Sequence, residues 1–561
     1  MQYFSRRLFG LLSVLVVAVA FAACGGGDDD DSGGGGGGSS ESAPAGRTGG
    51  EASFDYASFP DYLDPALSYT VAGWQALTVT NLGLVTYKRV AGQEGATLIP
   101  ALAEAMPDVS DDGLTYTFTL RDGLKYSDGT PVKASDFEVA IKRIINLESG
   151  GSAFYTSTIA GASAYLKAGK AKGDISGITA DDAARKITIK LTEPSGQFLY
   201  ILAMPFAALV PGDTPFENQT KTPPAGVGPY KITSVNTGRT FALERNPNYP
   251  EIPGLPAGKL DKITFTTVTN DSRAITDVLQ NKADYFDDPP TGDALREMRQ
   301  KAPERSKGQV TNSTYYYFLN ARVKPFDDIR VRQAVNFAVD KRALARLFGG
   351  TLEPDCNFLP PGMQGYQKID PCPYGDPKAA PNVAKAKQLV QQAGAAGKSV
   401  TVYGNDEELT RQVTAYLADV LEQIGLKPQL RIVNGDVYFQ TIGNQKTKAA
   451  AGFANWFQDY PHPYDFFFLI DGKSIQNTNN QNFGNVDDPE INSMLVAANK
   501  KDLKEAAPDY AAVDKRLVEQ GDVVAYGHRV LPFLLSDRID TKTALFHPVL
   551  QADYSTFALK G

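Results

Sequence analysis

The stretch SVTVYGNDEELTRQVTAYLADVLEQIGLKPQLRIV, residues 399–433, contains the pattern that decides the fold class. SVTVYG predicts a strand, and LKPQLRIV predicts a second strand after Gly425 has ended the helix between them. The apolar face of that helix consists of Leu409, Val413, Leu417, Val420 and Ile424. This strand, helix and strand form a βαβ unit, so the sequence predicts an α/β fold with a partly parallel sheet.

Upstream of this unit, the chain predicts further strands and helices around a separate core. LTYTFTL, beginning at Leu114, alternates apolar and threonine side chains as a half-buried strand does. ITIKL (187–191) and ITFTTV (263–268) predict two more strands. Ser135 and Glu138 have the spacing of a capping box, so we expect their side chains to close the start of a helix.

The middle of the chain predicts a buried strand and a long helix. Tyr315, Tyr316, Tyr317, Phe318 and Leu319 make up the predicted strand. One long helix is expected from Asp328 towards Phe348.

Length and charge limit the classes of function. A chain of 561 residues is expected to form two or three lobes, and 42% hydrophobic residues can build large cores. The net charge of −8 argues against nucleic-acid binding, which needs a basic face to neutralise phosphates.

The N-terminus predicts export and lipid anchoring. Arg6 and Arg7 precede an apolar run that ends before Cys24, and residues 1–24 have the order of a signal peptide. The small residues before Cys24 are similar to a bacterial lipobox, in which the cysteine is lipidated. The alternative is an uncleaved membrane anchor, but the run from residue 8 to residue 23 is shorter than the roughly 20 residues that span a bilayer. Residues 25–50, rich in Gly, Ser and Asp, predict a disordered tether.

Two further cysteines predict a structural disulfide. Cys356 and Cys372 flank a proline-rich segment in a chain that is expected to be exported. A zinc site is the weaker alternative, because the histidines at 462, 528 and 547 have no ligand spacing. We predict no metal and no cofactor.

WFQDYPHPYDFFFL, residues 456–469, surrounds two acids with seven aromatic side chains. Burying an unpaired carboxylate is costly, so Asp459 and Asp465 need a cationic or hydrogen-bonding partner. Either the protein or a ligand supplies that partner. The alternative is that Asp459 caps a turn and that the aromatic rings are ordinary core.

Several segments together resemble one protein family. They are DGLTYTFTLRDGLKYSDGTPVKASDFEVAIKRI (112–144), LDP (63–65), GVGPYKI (226–232), LERNPNY (243–249), KPFDDIRVRQAVNFAVDK (324–341), WFQDYPHP (456–463) and FGNVDDPEINSML (483–495). Taken in chain order, they resemble the extracellular solute-binding proteins of ABC importers, in the peptide/nickel class called family 5. The resemblance implies the two-lobed fold of type II periplasmic binding proteins, with an extra subdomain inserted in the first lobe.

By analogy, the domain boundaries are expected as follows. Lobe I combines residues 51–90, 223–311 and 531–561, the inserted subdomain covers 91–222, and lobe II covers 312–530. Two strand crossovers between the lobes would act as hinges.

The resemblance also implies the ligand contacts. Asp459 in the Trp-x-x-Asp motif is expected to receive the α-ammonium of a peptide. The predicted contact residues are Asp459, Trp456, Tyr460, Tyr69, Thr70, Asn312, Tyr315 and Phe453. Main-chain groups of residues 66–70 and 312–317 are expected to pair with an extended peptide as an added strand. His462 stands where relatives have an acidic or amide residue.

The implied function is capture of an oligopeptide or dipeptide by a monomeric lipoprotein outside the cell membrane. An ABC permease and its ATPase would be its partners. Relatives of this fold also carry nickel chelates, oligosaccharides, haem or opines. An enzyme is disfavoured, because the sequence has no HExxH and no Gly-x-Ser-x-Gly motif. A signalling or adhesion protein with the same fold is the third alternative.

Overall fold

The computed structural model describes residues 46–169, 173–286, 292–478 and 480–561. The predicted signal peptide, its Cys24 and residues 25–45 of the predicted tether lie outside these ranges. Within them, no helix combines the length and the apolar character needed to cross a membrane.

The strands, in chain order, are β1 (Glu51–Tyr56), β2 (Val85–Tyr87), β3 (Leu98–Pro100), β4 (Asp108–Val109), β5 (Thr115–Thr119), β6 (Ile178–Asp181), β7 (Lys186–Lys190), β8 (Tyr230–Asn236), β9 (Thr240–Arg245), β10 (Lys262–Thr267), β11 (Tyr285–Phe286), β12 (Ser306–Val310), β13 (Ser313–Leu319), β14 (Leu352–Glu353), β15 (Ser399–Asn405), β16 (Lys427–Val433), β17 (Ala451–Phe457), β18 (Val523–Leu535), β19 (Leu545–His547) and β20 (Gln551–Asp553).

The α-helices are α1 (Val71–Thr80), α2 (Asp136–Asn146), α3 (Ser152–Thr156), α4 (Ala162–Ala168), α5 (Phe198–Leu202), α6 (Asp271–Leu279), α7 (Gly292–Lys301), α8 (Ile329–Ala338), α9 (Lys341–Leu347), α10 (Val383–Gln392), α11 (Glu408–Gln423), α12 (Tyr438–Ile442), α13 (Tyr464–Phe467), α14 (Pro489–Ala498) and α15 (Leu503–Gln520).

The predicted βαβ unit is confirmed. β15 and β16 pair in parallel, and α11 connects them. They lie at one end of a sheet with the strand order β16-β15-β17-β13-β18-β11-β1-β10-β9-β8, in which β12 and β14 also pair with β18. A separate antiparallel sheet has the order β4-β5-β7-β6. The mixture of parallel and antiparallel strands with covering helices makes the fold α/β.

Strand β18 joins two parts of the main sheet. Its first half pairs with β13, and its second half pairs with β12. The chain passes from β12 to β13 through residues 311 and 312, next to the same point of β18. The predicted hinge crossovers, like the lobe and subdomain boundaries, stay predictions.

Hydrophobic side chains form separate clusters on the main sheet and on the β4–β7 sheet. One cluster packs around β13, β15 and β17 and contains Tyr317, Val402 and Leu417. A second packs on the β4–β7 sheet and contains Phe118 and Ile189. A third surrounds β1 and β10. The expectation that the βαβ region has its own core is confirmed.

The prediction of a capping box at Ser135 is wrong. Ser135 has helical backbone angles and makes no cap, because its main-chain N–H and its hydroxyl both donate to Asp182, at 2.8 and 3.0 Å. The Glu138 carboxylate accepts the N–H of Ile175 at 2.8 Å instead of reaching back. Contacts with distant residues replace the local pair.

The prediction of one long helix from Asp328 is also wrong. α8 ends at Ala338, Val339 is extended, and α9 begins after Asp340. The Asp340 carboxylate accepts the N–H of Arg342 at 3.0 Å, as a helix-capping side chain does. This aspartate therefore starts a second helix inside the predicted one.

The acid of the LDP segment is internally neutralised. Asp64 is fully buried, and its two carboxylate oxygens accept from the Arg143 guanidinium at 2.9 and 2.8 Å. The main-chain N–H groups of Ala66 and Gln219 donate to the same carboxylate. This bidentate ion pair joins the LDP segment to helix α2.

Cys356 and Cys372 form a disulfide, with an S–S distance of 2.07 Å and a Cα–Cα distance of 5.9 Å. The closed loop is tied to α15 by a buried carboxylate. Asp514 accepts the N–H of Phe358 at 2.9 Å and the Asn357 carboxamide at 2.8 Å.

Candidate ligand-binding site

A cavity of about 1560 Å³ brings together segments that are far apart in the sequence. Its lining comes from positions within 69–87, 148–166, 193–205, 439–440, 455–481, 496–500 and 549–551. The aromatic and acidic stretch recognised in the sequence therefore forms one wall.

Asp459 follows β17 and faces this cavity. Its Oδ2 accepts a hydrogen bond from the Tyr69 hydroxyl at 2.5 Å. Burial raises the pKa of Asp459 to about 7, while the hydrogen bond from Tyr69 acts in the opposite direction. Within the described ranges, no Lys, Arg or His forms an ion pair with this carboxylate.

Asp465 lies behind Asp459, fully buried in the first turn of α13. Its Oδ2 accepts the main-chain N–H of Asp459 at 2.9 Å and the Trp456 indole N–H at 3.4 Å. Its Oδ1 is buried and has no hydrogen-bond partner among the described residues. Burial, together with the negative charge of Asp459, raises the pKa of Asp465 well above the ordinary range. Burial therefore disfavours the charged form of Asp465, and its carboxyl group holds the Asp459 backbone in place.

Aromatic rings surround the outer carboxylate. Tyr69 stacks on Trp74 with centroids 5.7 Å apart, and Phe206 contacts both rings edge-on. On the other side, the Tyr460 hydroxyl donates to the Gln197 carboxamide at 2.6 Å. These rings partly shield Asp459 from water, which strengthens any charge interaction formed there.

Asp61 positions the segment that carries Tyr69. Its carboxylate accepts the main-chain N–H of Tyr69 at 2.7 Å and the hydroxyls of Ser68 and Thr70 at 2.9 and 2.8 Å. The Thr70 hydroxyl oxygen also accepts from Gly73 and caps α1. The predicted contact Thr70 therefore also has a structural role.

Two glycines let the opposite wall approach the rings. A Cβ at Gly150 would lie 2.6 Å from the Tyr69 ring, and one at Gly151 would lie 2.5 Å from the Phe206 ring. Sequence reasoning missed Asp61, Trp74 and these glycines, because no local pattern connects them with Asp459.

His462 lines the cavity as a neutral group. Burial lowers its pKa to about 3, and its Nδ1 accepts the main-chain N–H of Tyr464 at 3.2 Å. Its ring packs beside Tyr200 and Tyr510. Histidine at this position therefore adds no positive charge to the site at neutral pH.

Five predicted contact residues line the cavity: Tyr69, Thr70, Trp456, Asp459 and Tyr460. The other three are absent from its lining. The Asn312 carboxamide donates to Gln458 at 2.9 Å, Phe453 stacks on Tyr438, and Tyr315 packs edge-on against the cavity residue Phe457. For these three, ligand contact stays a prediction.

The cavity also contains basic groups that sequence reasoning did not select. Lys473 and Lys500 are exposed in its lining, without ion-pair partners among the described residues. The part of the chain that the structure describes holds no cluster of three or more His, Cys, Asp or Glu suited to a metal ion.

Residues 97–478 match the family model described as bacterial extracellular solute-binding proteins, family 5 Middle. This match covers more than half of the chain, and the chain belongs to that family. The family is one of solute-binding proteins and not of enzymes.

Individual relatives agree with this assignment. The chain is 30% identical over 327 residues to a glutathione-binding protein, GsiB, of Salmonella typhi. That alignment covers 57% of this chain and 59% of the relative, so the matched part is less than two thirds of that protein's length.

Solved structures share the fold. The clavulanic acid biosynthesis oligopeptide binding protein 2 superposes with a TM-score of 0.83 at 24% identity, covering 92% of this chain and 96% of the other. The periplasmic binding protein DppA of Helicobacter pylori, solved with the peptide STSA, gives a TM-score of 0.73 at 20% identity, covering 92% and 99%. The periplasmic-binding-protein fold predicted from the sequence is thereby confirmed.

Proposed function

We propose that this chain is the solute-binding component of an ABC importer and that it captures an oligopeptide by its free amino terminus. The observation that carries the proposal is the Asp459 carboxylate, which faces a large cavity and has only a phenol as its partner among the described residues. A peptide ammonium would supply the missing positive charge.

The surroundings of Asp459 make such an ammonium an effective partner. The Tyr69 hydroxyl occupies one carboxylate oxygen, so the carboxylate keeps further acceptor capacity for the ligand. A hydrogen bond between two charged groups is stronger than a neutral one, and the water-poor aromatic wall increases the effect.

The size of the cavity favours oligopeptides over dipeptides. One residue of an extended, packed chain occupies roughly 160 Å³, taking about 3.3 Å of rise, 4.8 Å between strands and 10 Å between packed sheets. A dipeptide would fill only a small part of a cavity of about 1560 Å³. A ligand of several residues, with water around its side chains, matches the volume better.

The names of the relatives support a peptide ligand. They describe an oligopeptide-binding protein, a protein solved with the peptide STSA and a glutathione-binding protein. An oligosaccharide is the second candidate, because Tyr69, Trp74 and Trp456 could stack on sugar rings. Native mass spectrometry of the purified protein with its retained solute distinguishes the two, and also detects nickel chelates, haem or opines.

Calorimetric titration with free-amine and N-acetylated forms of one pentapeptide tests the amine contact. Asp459→Asn should weaken binding of the free-amine peptide by about 1.5–3 kcal/mol, or roughly 10- to 150-fold. The acetylated peptide should lose much less. Equal losses for the two peptides would remove Asp459 from the amine role.

Glu193→Gln is the matched control for that experiment. Glu193 is an exposed acid in the same cavity lining, so the substitution removes one negative charge from the cavity and leaves Asp459 intact. The preference for the free amine should persist in this variant. If it disappears, general charge attraction accounts for the preference.

For the cellular context, we propose a monomer that is lipid-anchored through Cys24 outside the cell membrane and that delivers its solute to a permease and its ATPase. The order of Arg6, Arg7, the apolar run and Cys24 supports the anchor. Cys24→Ser should release the protein from membranes into the soluble fraction, as measured by detergent partitioning.

A further inference from the structure

Arg529 is a buried cation that lacks a counter-ion in the described part of the chain. It lies in the middle of β18 and is 5% exposed. Its main-chain N–H donates to the Ser313 hydroxyl at 3.0 Å, so the backbone is fixed. Its guanidinium makes no hydrogen bond with the described residues, and the Nη1 atom is buried without a partner.

Other buried arginines in the described ranges are paired. Arg143 binds Asp64 at 2.8 Å, and Arg332 binds Asp522 at 2.8 Å. A buried charge without a partner is strongly destabilising, so a guanidinium in such a place normally meets an anion. Arg529 departs from the pattern that the rest of this chain follows.

A second buried donor without an acceptor lies beside Arg529. The Tyr526 hydroxyl is buried and has no hydrogen-bond partner among the described residues. Both groups contact the Phe348 ring: the Arg529 guanidinium carbon is 5.1 Å from the ring centroid, and the Tyr526 ring is 6.3 Å from it. Two donors that lack acceptors are therefore gathered around one aromatic ring.

This cluster lies next to the ligand cavity. Tyr315 packs against Phe348 at 5.2 Å and against the cavity residue Phe457 at 6.0 Å between ring centroids. Tyr315 is half-buried, and its ring connects Phe348, beside Arg529, with Phe457, in the cavity lining. A carboxylate reaching the donors from the cavity would pass this ring.

We propose that Arg529 and the Tyr526 hydroxyl form an anion-binding site for a carboxylate. A carboxylate suits the pair because its two oxygens can accept from the guanidinium and from the phenol at the same time. The carboxylate comes either from the captured solute or from a small free anion. The site extends the proposed function, but its occupancy does not depend on the amine contact at Asp459.

Thermal unfolding in sodium formate tests the site without any peptide. Ionic strength is held constant with sodium HEPES, whose anion is a bulky sulfonate and not a carboxylate. The melting temperature of the unmodified chain should rise with formate, because a ligand that binds only the folded state stabilises it. Arg529→Met should remove this rise.

The control variant is Arg516→Met. Arg516 is partly exposed and is already paired with Asp488 and Glu490, so its loss should leave the formate response unchanged. The proposal is overturned if the unmodified chain does not respond to formate, or if Arg529→Met responds equally. Should Arg529→Met fail to fold, Tyr526→Phe removes only the second donor and should reduce the formate affinity at least threefold; an unchanged affinity overturns the proposal as well.

Peptides with a free or an amidated carboxyl terminus identify the source of the carboxylate. If the solute supplies it, amidation should weaken binding at least tenfold in the unmodified chain and much less in Arg529→Met. A saturating free-acid peptide should then abolish the formate response. If a free anion supplies it, the formate response persists with peptide bound. These results do not involve the amino terminus, so they separate this proposal from the one on Asp459.

Discussion

Asp64 is fully buried and Asp459 is partly buried, and the described part of the chain provides a counter-charge for the first carboxylate but not for the second. Asp64 has a bidentate arginine and two main-chain N–H donors. Asp459 has one phenol, and its pKa is raised to about 7 by burial. Where the chain provides the cation, the acid holds elements together. Where it does not, the acid is available to a ligand.

The largest effect on stability is expected when Asp64 loses its arginine partner. Arg143→Met should lower the free energy of unfolding by about 3–5 kcal/mol, because it leaves a buried carboxylate uncompensated. Urea denaturation followed by circular dichroism measures the loss. The double variant Asp64→Asn with Arg143→Met should lose less than the two single variants combined, and simple additivity would contradict a paired role.

Asp459→Asn, unlike Arg143→Met, should not lower the free energy of unfolding substantially. Removing this carboxylate breaks no internal ion pair and relieves its repulsion of Asp465, so the unfolding free energy without ligand should stay within about 1 kcal/mol or increase. The same urea titration applies. A loss as large as that of Arg143→Met would mean that the protein itself neutralises Asp459.

The pH dependence of binding sharpens the contrast. Without ligand, Asp459 takes up a proton as the pH falls through its pKa of about 7, and a neutral acid no longer attracts an ammonium. Affinity for a free-amine peptide should therefore fall about tenfold per pH unit below pH 7 and level off above it. Calorimetry between pH 5 and pH 8 measures the profile. The N-acetylated peptide should give a nearly flat one.

The smallest effect on binding is expected from removal of the Tyr69 hydroxyl. Tyr69→Phe removes one hydrogen bond to the carboxylate and should weaken binding by about 0.5–1.5 kcal/mol. This hydrogen bond lowers the pKa of Asp459, so its loss should move the midpoint of the pH profile upward. In Tyr87→Phe, which removes a hydroxyl of the same cavity that does not contact Asp459, the midpoint should not move.

Most of the fold could be predicted, because strands and amphipathic helices leave periodic signals. The helix of the βαβ unit was predicted to end at Gly425, and α11 runs from Glu408 to Gln423. The failures at Ser135 and Asp340 have different causes. Ser135 donates to the distant Asp182 and makes no local cap, whereas the Asp340 carboxylate accepts the N–H of Arg342 two residues on and starts a second helix.

The candidate site could be predicted only where a motif marks it. Trp456 and Asp459 belong to a recognisable segment, and both line the cavity. Asp61 and Phe206 do not, because their roles depend on contacts with Tyr69 that only the folded chain creates. The raised pKa of Asp465 was equally hidden, since it follows from burial and from the neighbouring charge of Asp459.

The hydrogen bond between Tyr69 and Asp459 connects residues 390 positions apart, and residues 549–551 complete the cavity lining. During synthesis, the pocket therefore cannot exist until nearly all of these segments have left the ribosome. A product of early termination would lack part of the cavity lining. Binding competence is in this way a built-in check on the integrity of the polypeptide.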